Sequence, residues 1–559
     1  MTKRPVTPTR PAALSGWNPL TLALCSALWM AAFANWPLWR ALLALPETNS
    51  ARGALFLAGF GVMIAALLTA LLAFAAWRFS IKPVIALFVL SAAFGAHFMG
   101  TYGVVIDSTM MVNVVQTDPR EVRDLLSVRL LFSVLFLAGV PLLLVWRARV
   151  QRLGGLAQLG RNAMGLVAAL VVLLALVFAL FADLSTTMRN NKSLRYLINP
   201  LNSFYALADI GFRANARPAG PPLPIGADAR VAPHLPGARP PLVLLVVGET
   251  ARADNFALNG YPRPTNPELS ALDAVSFREV SSCGTNTAAS LPCMFSHLGK
   301  TKFEARERDS ENLLDLVQHT GMAVLWLDNQ AGCKGLCERV PNAYAIEAAP
   351  GGTAPGMQLC EDGECLDEAL LVGLDARLAA LPAERRERGV LLVLHQMGSH
   401  GPAYYKRSPA NRKPFMPECS TNVLQQCDRA SLVNAYDNSI AYTDHVLAQT
   451  VQWLQGQVQH FDTTLLYVSD HGESLGENNL YLHGLPYALA PREQKHVPLI
   501  VWSAAPPAPA SRSLAACLRE QRDRPLSHDN LFHSVLGLLG IQAAEYQAGL
   551  DAFAACRVP

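Results

Sequence analysis

Five long runs of apolar residues fill the first third of the chain, and none of them has a polar face. Each run is about 19 to 25 residues long, enough to cross about 30 Å of hydrocarbon. A backbone inside a bilayer must satisfy its own hydrogen bonds, so the runs predict transmembrane helices rather than buried helices of a soluble core. They cover residues 18–39, 53–77, 83–106, 128–146 and 162–183.

Basic residues in the short loops predict the orientation of these helices. Nine of them precede the first run or lie between the second and third and between the fourth and fifth, whereas the other loops balance Arg with acidic residues. The positive-inside rule then makes the N-terminus cytoplasmic and places everything after Asp183 outside. The nine residues are Lys3, Arg4, Arg10, Arg78, Lys82, Arg147, Arg149, Arg152 and Arg161.

A juxtamembrane stretch follows the last run. Residues 184–216 mix apolar and basic side chains, a pattern that favours amphipathic helices on the membrane surface over a plain connector. Frequent prolines then predict an irregular linker up to residue 240. They are Pro218, Pro221, Pro222, Pro224, Pro233, Pro236 and Pro240. The predicted domains are therefore a membrane domain over 1–183, this segment over 184–240 and a third domain over 241–559.

Residues 241–559 alternate short apolar runs with helical stretches. This alternation is typical of an α/β domain with a mostly parallel sheet covered on both faces. The predicted strands are Leu242–Val247, Ala323–Leu327, Val390–Leu394, Thr464–Val468 and Val497–Trp502.

Composition narrows the class of protein. Hydrophobic residues make up 51% of the 559 residues and charged residues only 16%, against about 25% charged in soluble domains. This excludes a mainly disordered chain and disfavours an ordinary cytosolic enzyme. A net charge of +3 is too balanced for a nucleic-acid partner.

Cysteine usage agrees with the predicted topology. Ten of the eleven cysteines lie after residue 280, and only Cys25 lies in an apolar run. An even number confined to the outer segment indicates disulfides in an oxidising compartment. Proximity in sequence suggests the pairs 283–293, 333–337, 360–365, 419–427 and 517–556. For Cys333 and Cys337, half of a thiolate zinc site is the alternative.

Polar residues follow four of the predicted strands. Ligands of open α/β sheets bind outside the carboxyl ends of the strands, so these side chains are expected at one edge. Carboxylates together with imidazoles suit a divalent metal, zinc or manganese more than magnesium or calcium. The residues are Glu249 and Thr250, Asp328 and Asn329, His395 and His400, and Ser469 to His471.

Two threonines are candidate nucleophiles for such a metal site. Thr250 directly follows Glu249, whereas Thr285 follows a glycine, precedes a predicted helix and lies in the loop between Cys283 and Cys293. A helix N-terminus favours an anion such as a phosphoryl group, which supports Thr285. Thr285 as a simple helix cap is the alternative.

Several separated motifs resemble the membrane phosphoethanolamine transferases, most closely the lipid A group that includes the mobilised colistin-resistance enzymes. The resemblance covers essentially the whole chain. It rests on Gly248–Asp254 with Asn259–Tyr261, Ser282–Thr285 with Leu291–Ser296, Gly332–Gly335, His395–Pro402 and Ser469–Glu477.

The resemblance implies a catalytic domain of the alkaline phosphatase/sulfatase type and a zinc-dependent enzyme. By position in the motifs, the zinc ligands would be Glu249, Thr285, Asp470 and His471. Thr285 would also be the nucleophile that carries phosphoethanolamine. One Zn²⁺ is expected, and a second is compatible with the family.

Further residues match substrate-binding positions of the family. Lys334, His395, His400 and His483 match residues that bind phosphate or a second zinc, and Asn113 and Glu121 match residues that hold the donor head group. A capped, solvated loop is the alternative for Asn113 and Glu121. Four other histidines have no matching role and are predicted to be structural: His297, His445, His528 and His533.

The function implied is transfer of phosphoethanolamine from phosphatidylethanolamine to a lipid A phosphate, by a monomer in the bacterial inner membrane with its catalytic domain in the periplasm. The added amine would lower the negative surface charge and give polymyxin resistance. The alternative is transfer of phosphoethanolamine or phosphoglycerol to a core sugar or glycan. A sulfatase-type hydrolase is disfavoured because Cys283-Gly284-Thr285 lacks the Pro and Arg of that signature, and a degenerate binding domain because the ligands are intact.

Overall fold

The structure is a computed structural model that describes residues 16–117, 119–216, 220–232, 238–348, 353–354, 357–361, 363–504 and 514–557. Lys3, Arg4, Arg10, Pro218, Pro233 and Pro236, which entered the predictions above, lie outside the described residues. The chain packs into two compact units. The first runs to Thr101 and includes Val128–Leu207, and the second consists of Tyr102–Ser127 and the chain from Ala208 onward. The predicted domain boundaries at residues 183 and 240 stay predictions.

Helices make up the first unit and its flanks. Four helical stretches in the described residues are long and apolar enough to cross a membrane, or five if a pair bent by 50° counts as one span. They are Ala51–Phe74, Ile81–Tyr102, Gly155–Ala179 and Val128–Arg147, the last of which consists of two α-helices joined by a π-helical turn over Leu135–Gly139. The helices are α1 (Pro19–Trp29), α2 (Trp36–Leu43), α3 (Ala51–Phe74), α4 (Ile81–Tyr102), α5 (Ser108–Gln116), α6 (Pro119–Leu125), α7 (Val128–Val134), α8 (Val140–Arg147), α9 (Gly155–Ala179), α10 (Phe181–Asn190) and α11 (Leu201–Ala216).

The bent pair is α1, continued by a π-helical turn over Met30–Ala34, and α2. Asn35 lies at the break, and its side-chain amide donates to the carbonyls of Met30 (2.9 Å) and Asn199 (2.7 Å). The backbone amide of Asn199 donates in return to Asn35 Oδ1 at 2.9 Å. Side-chain amides thus satisfy backbone groups that lipid would leave unpaired.

The fifth apolar run differs from its prediction. Its helix, α9, begins at Gly155 instead of residue 162. The first turns are polar but buried, because Gln158 and Asn162 both donate to the carbonyl of Ala76 (3.0 and 3.1 Å). Hydropathy alone could not predict that the helix includes these polar residues, because their side chains form hydrogen bonds to the end of a neighbouring helix. After α9, helices α10 and α11 occupy most of residues 184–216, and their place on the membrane surface stays a prediction.

The second unit carries the β-structure. Its strands are β1 (Arg230–Val231), β2 (Pro241–Gly248), β3 (Val275–Phe277), β4 (Val280–Ser281), β5 (Ala323–Asp328), β6 (Asn342–Tyr344), β7 (Thr353–Ala354), β8 (Met357–Gln358), β9 (Cys360–Glu361), β10 (Glu364–Cys365), β11 (Val390–His395), β12 (Asp462–Ser469), β13 (Ser474–Leu475), β14 (Tyr481–Leu482), β15 (Leu499–Ser503), β16 (Leu526–Ser527) and β17 (Ile541–Gln542). Its remaining helices are α12 (Pro267–Ala271), α13 (Thr287–Met294), α14 (Gly299–Glu304), α15 (Leu313–His319), α16 (Ala345–Ala348), α17 (Leu374–Ala380), α18 (Ala383–Arg386), α19 (Arg429–Gly456), α20 (Leu514–Glu520) and α21 (Leu531–Leu538).

Seven strands form one sheet in the order β3-β15-β12-β2-β11-β5-β6. The five predicted strands are present, and the central ones are parallel. The last predicted strand, β15, is instead antiparallel to β12. The described chain between β12 and β15 has only short strands and helical turns, so it offers no helix for the crossover that a parallel return requires.

Both faces of the sheet are buried. Alternate residues of β2 divide between two cores: Val243, Leu245 and Val247 pack with α13, α15 and α21, and Leu242, Leu244 and Val246 pack with α19. A strand covered on both faces reads as a continuous apolar run, which is why it was visible in the sequence. All five cysteine pairs suggested by proximity in sequence are disulfides, which excludes the thiolate zinc site for Cys333 and Cys337.

Candidate functional site

The parallel strands deliver their polar residues to one edge of the sheet, as predicted. Ser469 is in register with Gly248, so Asp470 and His471 leave β12 beside Glu249 at the end of β2. His395 of β11 is in register with Asp328 of β5. Gly398 allows the chain after β11 to pass close by, because a Cβ there would lie 2.7 Å from the carbonyl oxygen of Glu249.

Three of these residues form a candidate metal centre. Ligand atoms of Glu249, Asp470 and His471 lie within 4.8 Å of one another, and all three side chains are fully buried. His471 Nε2 is 3.3 Å from Glu249 Oε1 and 3.4 Å from Asp470 Oδ2. Asp470 Oδ2 has no hydrogen-bond partner in the described part of the chain. Buried carboxylates with one imidazole, and one oxygen unpaired, fit a divalent cation such as zinc.

Burial and neighbouring charges shift the pKa values of the three residues of the metal centre in different ways. Burial would raise the pKa of Glu249, but the hydrogen bond and charge of His471 and the nearby His400 and His483 hold it well below its usual range. Burial and the Glu249 charge raise the pKa of Asp470 to about 7. Burial opposes protonation of His471, yet the Asp470 and Glu249 carboxylates raise its pKa to about 10. Two carboxylates that attract positive charge this strongly favour a cation between them.

The two threonines of the loop at the start of α13 lie in different places. Thr287, the first residue of α13, has its Oγ1 3.0 Å from Glu249 Oε2 and 3.4 Å from His471 Nε2. Thr285 Oγ1 donates instead to the carbonyl of Leu485 at 2.6 Å. Within the described residues, the structure therefore brings Thr287 rather than Thr285 to the metal centre.

Helix capping explains this placement. Asn286 caps α13 by accepting a hydrogen bond from the amide of Ala289 at 2.9 Å, which makes Thr287 the first helical residue. Asn is among the strongest N-caps, so Asn286 in the sequence already indicates a helix that begins at Thr287. Thr250, the other candidate, donates to Glu249 Oε1 at 2.6 Å.

Histidines border the metal centre on one side. His395 Nδ1 is 3.1 Å from Asp328 Oδ2, while its buried Nε2 has no partner in the described ranges. The His483 ring lies 4.2 Å from that of His471 and 6.1 Å from that of His400, centroid to centroid. The structure thus groups the three predicted histidines near the metal centre, where imidazoles can meet a phosphoryl group.

Glu473 and Gln330 are polar neighbours that the sequence analysis missed. Glu473 is fully buried, lies 3.4 Å from His483 Nδ1, and burial raises its pKa to about 8. Gln330 Nε2 donates to Glu249 Oε2 at 3.3 Å. Gln330 lies two residues after Asp328, and Glu473 lies within the motif Ser469–Glu477, but the direction of both side chains depends on loop conformation, which the sequence does not give.

The remaining predicted substrate residues lie farther out. Lys334, at a backbone φ of +48°, donates from Nζ to the carbonyl of Ala331 at 3.2 Å. Asn113 is half-buried on α5, and of Glu121 only the backbone, in α6, is described. None of the contacts found for Lys334 or Asn113 in the described chain reaches the metal centre. Their roles stay predictions, as does that of Thr285.

The four histidines predicted to be structural form hydrogen bonds, ion pairs or ring contacts with neighbouring residues of the domain. His528 Nδ1 accepts from the amide of Cys283 at 3.0 Å, and its Nε2 is 2.9 Å from the carbonyl of Ser469. His445 lies between Glu268 and Glu368. His297 packs against the ring of Phe532, and His533 accepts from the amide of Gln547.

Both parts of the chain match known protein families. Residues 63–213 match the family described as phosphoethanolamine transferase EptA/EptB, and residues 241–541 match the sulfatase family. The chain is 38% identical over 543 residues to the phosphoethanolamine transferase EptA of Salmonella typhimurium (strain LT2), covering 96% of each. It is 40% identical over 451 residues to the phosphatidylethanolamine transferase Mcr-1 of Escherichia coli, covering 79% of this chain and 81% of Mcr-1.

A solved structure shares the whole architecture. The integral membrane lipooligosaccharide phosphoethanolamine transferase A from Neisseria meningitidis superposes with a TM-score of 0.88 at 32% identity, covering 96% of this chain and 99% of that one. The predicted fold, membrane helices followed by a sulfatase-type α/β domain, is thereby confirmed. So is the resemblance drawn from the motifs.

Proposed function

The chain belongs to the phosphoethanolamine transferase family, and on that premise we propose that it transfers phosphoethanolamine from phosphatidylethanolamine to a phosphate of lipid A. Two relatives support the choice of substrates by name: Mcr-1 is a phosphatidylethanolamine transferase, and the Neisseria protein acts on lipooligosaccharide. The chain acts from the bacterial inner membrane as a monomer. Its disulfide-bonded catalytic domain lies in the oxidising periplasm, which agrees with the positive-inside orientation.

The proposed cofactor is zinc, held by Glu249, Asp470 and His471. The ion lowers the pKa of a bound hydroxyl and neutralises charge on a phosphoryl group. His395, His400 and His483 are the residues that would hold a second zinc. Asp470 Oδ2, which is buried and accepts no hydrogen bond from the described residues, supports the first site because it is a free donor atom for the ion.

Thr287 is the proposed nucleophile, and its position is the observation that carries the mechanism. Its hydroxyl lies at the N-terminus of α13, 3.0 Å from Glu249 Oε2. Free threonine is a poor nucleophile at neutral pH, and the zinc that Glu249 would hold, together with the positive end of the helix, would favour ionisation of the Thr287 hydroxyl. Thr285, which the motifs favoured, is the competing candidate.

The transfer proceeds as two displacements at one site. Thr287 Oγ1 forms a bond to the phosphorus of the donor, the bond from phosphorus to the diacylglycerol oxygen breaks, and that oxygen takes up a proton. An oxygen of the lipid A phosphate then attacks the same phosphorus, and Thr287 Oγ1 leaves and regains its proton. We infer that His395, whose buried Nε2 has no hydrogen-bond partner within the described residues, stabilises charge or exchanges these protons together with His400 and His483.

Trapping the intermediate tests this mechanism on the purified full-length enzyme. With phosphatidylethanolamine and no acceptor, we expect one phosphoethanolamine group on the peptide that contains α13. Thr287→Ala should remove the adduct, and the matched control Thr285→Ala should keep it. The opposite pattern would make Thr285 the nucleophile, and no adduct on this peptide of the wild-type enzyme would contradict covalent transfer.

A further inference from the structure

The segment Tyr102–Ser127 connects two apolar helices in sequence, yet it packs within the catalytic unit. It contains α5, α6 and, at its end, the buried carboxylate of Asp124, whose side chain is only 6% exposed. Asn422 Nδ2 donates to the backbone carbonyl of Asp124 at 2.5 Å. Both the backbone and the side chain of this residue are therefore anchored in the catalytic domain.

Asp124 forms ion pairs with two consecutive cations. One carboxylate oxygen accepts from Lys406 Nζ, and the other accepts from Arg407 at 3.2 Å. The Arg407 side chain is 5% exposed, and it also pairs with Glu364 at 3.2 Å. Removing one partner of a buried ion pair leaves an uncompensated charge, so loss of the Asp124 carboxylate is expected to disturb the position of Arg407.

Arg407 extends this contact to the predicted phosphate-binding residues. Its Nε donates to the backbone carbonyl of His400 at 2.9 Å. The guanidinium is a rigid planar fork, so the direction in which it holds Asp124 also sets the direction in which it holds His400. Asp124, Arg407 and His400 thus form a continuous chain of polar contacts.

The same segment touches the other two loops that carry predicted substrate residues. Lys334 Nζ lies 3.5 Å from the carbonyl of Gln116. Met110 packs on Gly484, next to His483, so closely that a Cβ there would lie 2.8 Å from its Cε. One segment therefore contacts Lys334 and the loop of His483 directly, and it reaches His400 through Arg407.

We propose that Asp124 is a positioning residue for phosphoryl transfer: through Arg407 it holds the backbone of His400 in place relative to the metal centre. This inference rests on the proposed function for its catalytic consequence. Its structural part, that Asp124 orders the 397–404 loop, stands independently of which substrates the enzyme uses.

The kinetic test compares Asp124→Asn with Asp551→Asn in the full-length enzyme. Asp551 is a matched control, since it is buried and pairs with Arg557 and Tyr546 in the C-terminal region. We expect Asp124→Asn to lower kcat about 10- to 100-fold with little change in KM, as when a residue supporting a metal or phosphate ligand is lost. Asp124→Glu should recover much of the activity.

A double mutant tests the route through Arg407. If Asp124 acts through this arginine, Asp124→Asn should add little to the effect of Arg407→Gln, because both break the same chain of contacts. Additive losses in kcat would overturn the proposal, and so would a loss no larger than that of Asp551→Asn.

Amide hydrogen exchange gives a readout that does not depend on activity. Exchange of the 397–404 peptide should be faster in Asp124→Asn and unchanged in Asp551→Asn. If the wild-type enzyme transfers no phosphoethanolamine but the exchange result holds, the proposed function fails and the positioning role survives. Unchanged exchange in Asp124→Asn would overturn the positioning role itself.

Discussion

At the scale of single residues, the metal centre buries two carboxylates that would be unstable without a positively charged partner. Glu249 and Asp470 are both fully buried, and His471 lies within 3.4 Å of each. A buried carboxylate is costly unless it is paired or coordinates a metal. The same carboxylates keep a proton on His471 when no cation competes for them.

Zinc affinity is expected to rise with pH for this reason. Burial opposes the His471 charge, but Asp470 and Glu249 raise its pKa from 6.5 to about 10, so zinc must displace a proton below that pH. The apparent association constant should increase about tenfold per pH unit from about pH 7 to pH 9. Competition with a chelator of known pH dependence measures this, and a flat profile would contradict the ligand assignment.

The same shift has a consequence for the metal-free enzyme. Because the folded pKa of His471 lies above its ordinary value, protonation stabilises the fold fully below about pH 6.5, and this contribution is lost as the pH rises towards 10. Denaturant unfolding of chelated enzyme across this range should show a progressive loss that His471→Gln lacks. Equal slopes for both proteins would contradict it.

At the scale of secondary-structure elements, one helix start decides which hydroxyl reaches the metal centre. Asn286 caps α13 and makes Thr287 its first residue. The sequence predicted the strand ends well because buried parallel strands are plain apolar runs. It did not predict Thr287, because two threonines two residues apart can be told apart only by where the helix begins.

Removing this cap should lower activity by more than the loss of stability explains. Asn286→Ala is expected to cost about 1 kcal/mol of unfolding free energy and also to lower kcat, because it frees the start of α13. Asn312→Ala is a matched control, since Asn312 caps α15 with the same chemistry away from the metal centre. Denaturant unfolding and steady-state transfer measure the two effects. Equal loss of kcat in both variants would contradict a special role for the Asn286 cap.

At the scale of the whole molecule, the chain combines apolar helices with an α/β domain that contains the candidate metal centre, and both proposed substrates are lipids. The long apolar runs and the later alternation of short apolar runs with helical stretches were enough to predict this division. The packing of Tyr102–Ser127 with the catalytic unit was not predictable, because it depends on contacts between residues more than 200 positions apart, such as Asp124 and Arg407.

Zinc should stabilise the full-length enzyme against unfolding. An ion that binds only the folded state adds about 2.7 kcal/mol at a free concentration about one hundred times its Kd. Thermal unfolding with and without chelator should therefore differ for the wild type, whereas Asp470→Asn should lose the difference. A zinc-dependent gain that persists in Asp470→Asn would place the ion elsewhere.

The most direct test of the proposed function is the lipid A mass profile of a polymyxin-sensitive Gram-negative host. The host would express this chain or its Thr287→Ala variant at equal membrane levels. A phosphoethanolamine adduct on lipid A with the intact chain and none with Thr287→Ala is the expected result. Unmodified lipid A with the intact chain would contradict the proposed function and would favour a core sugar or glycan as the acceptor.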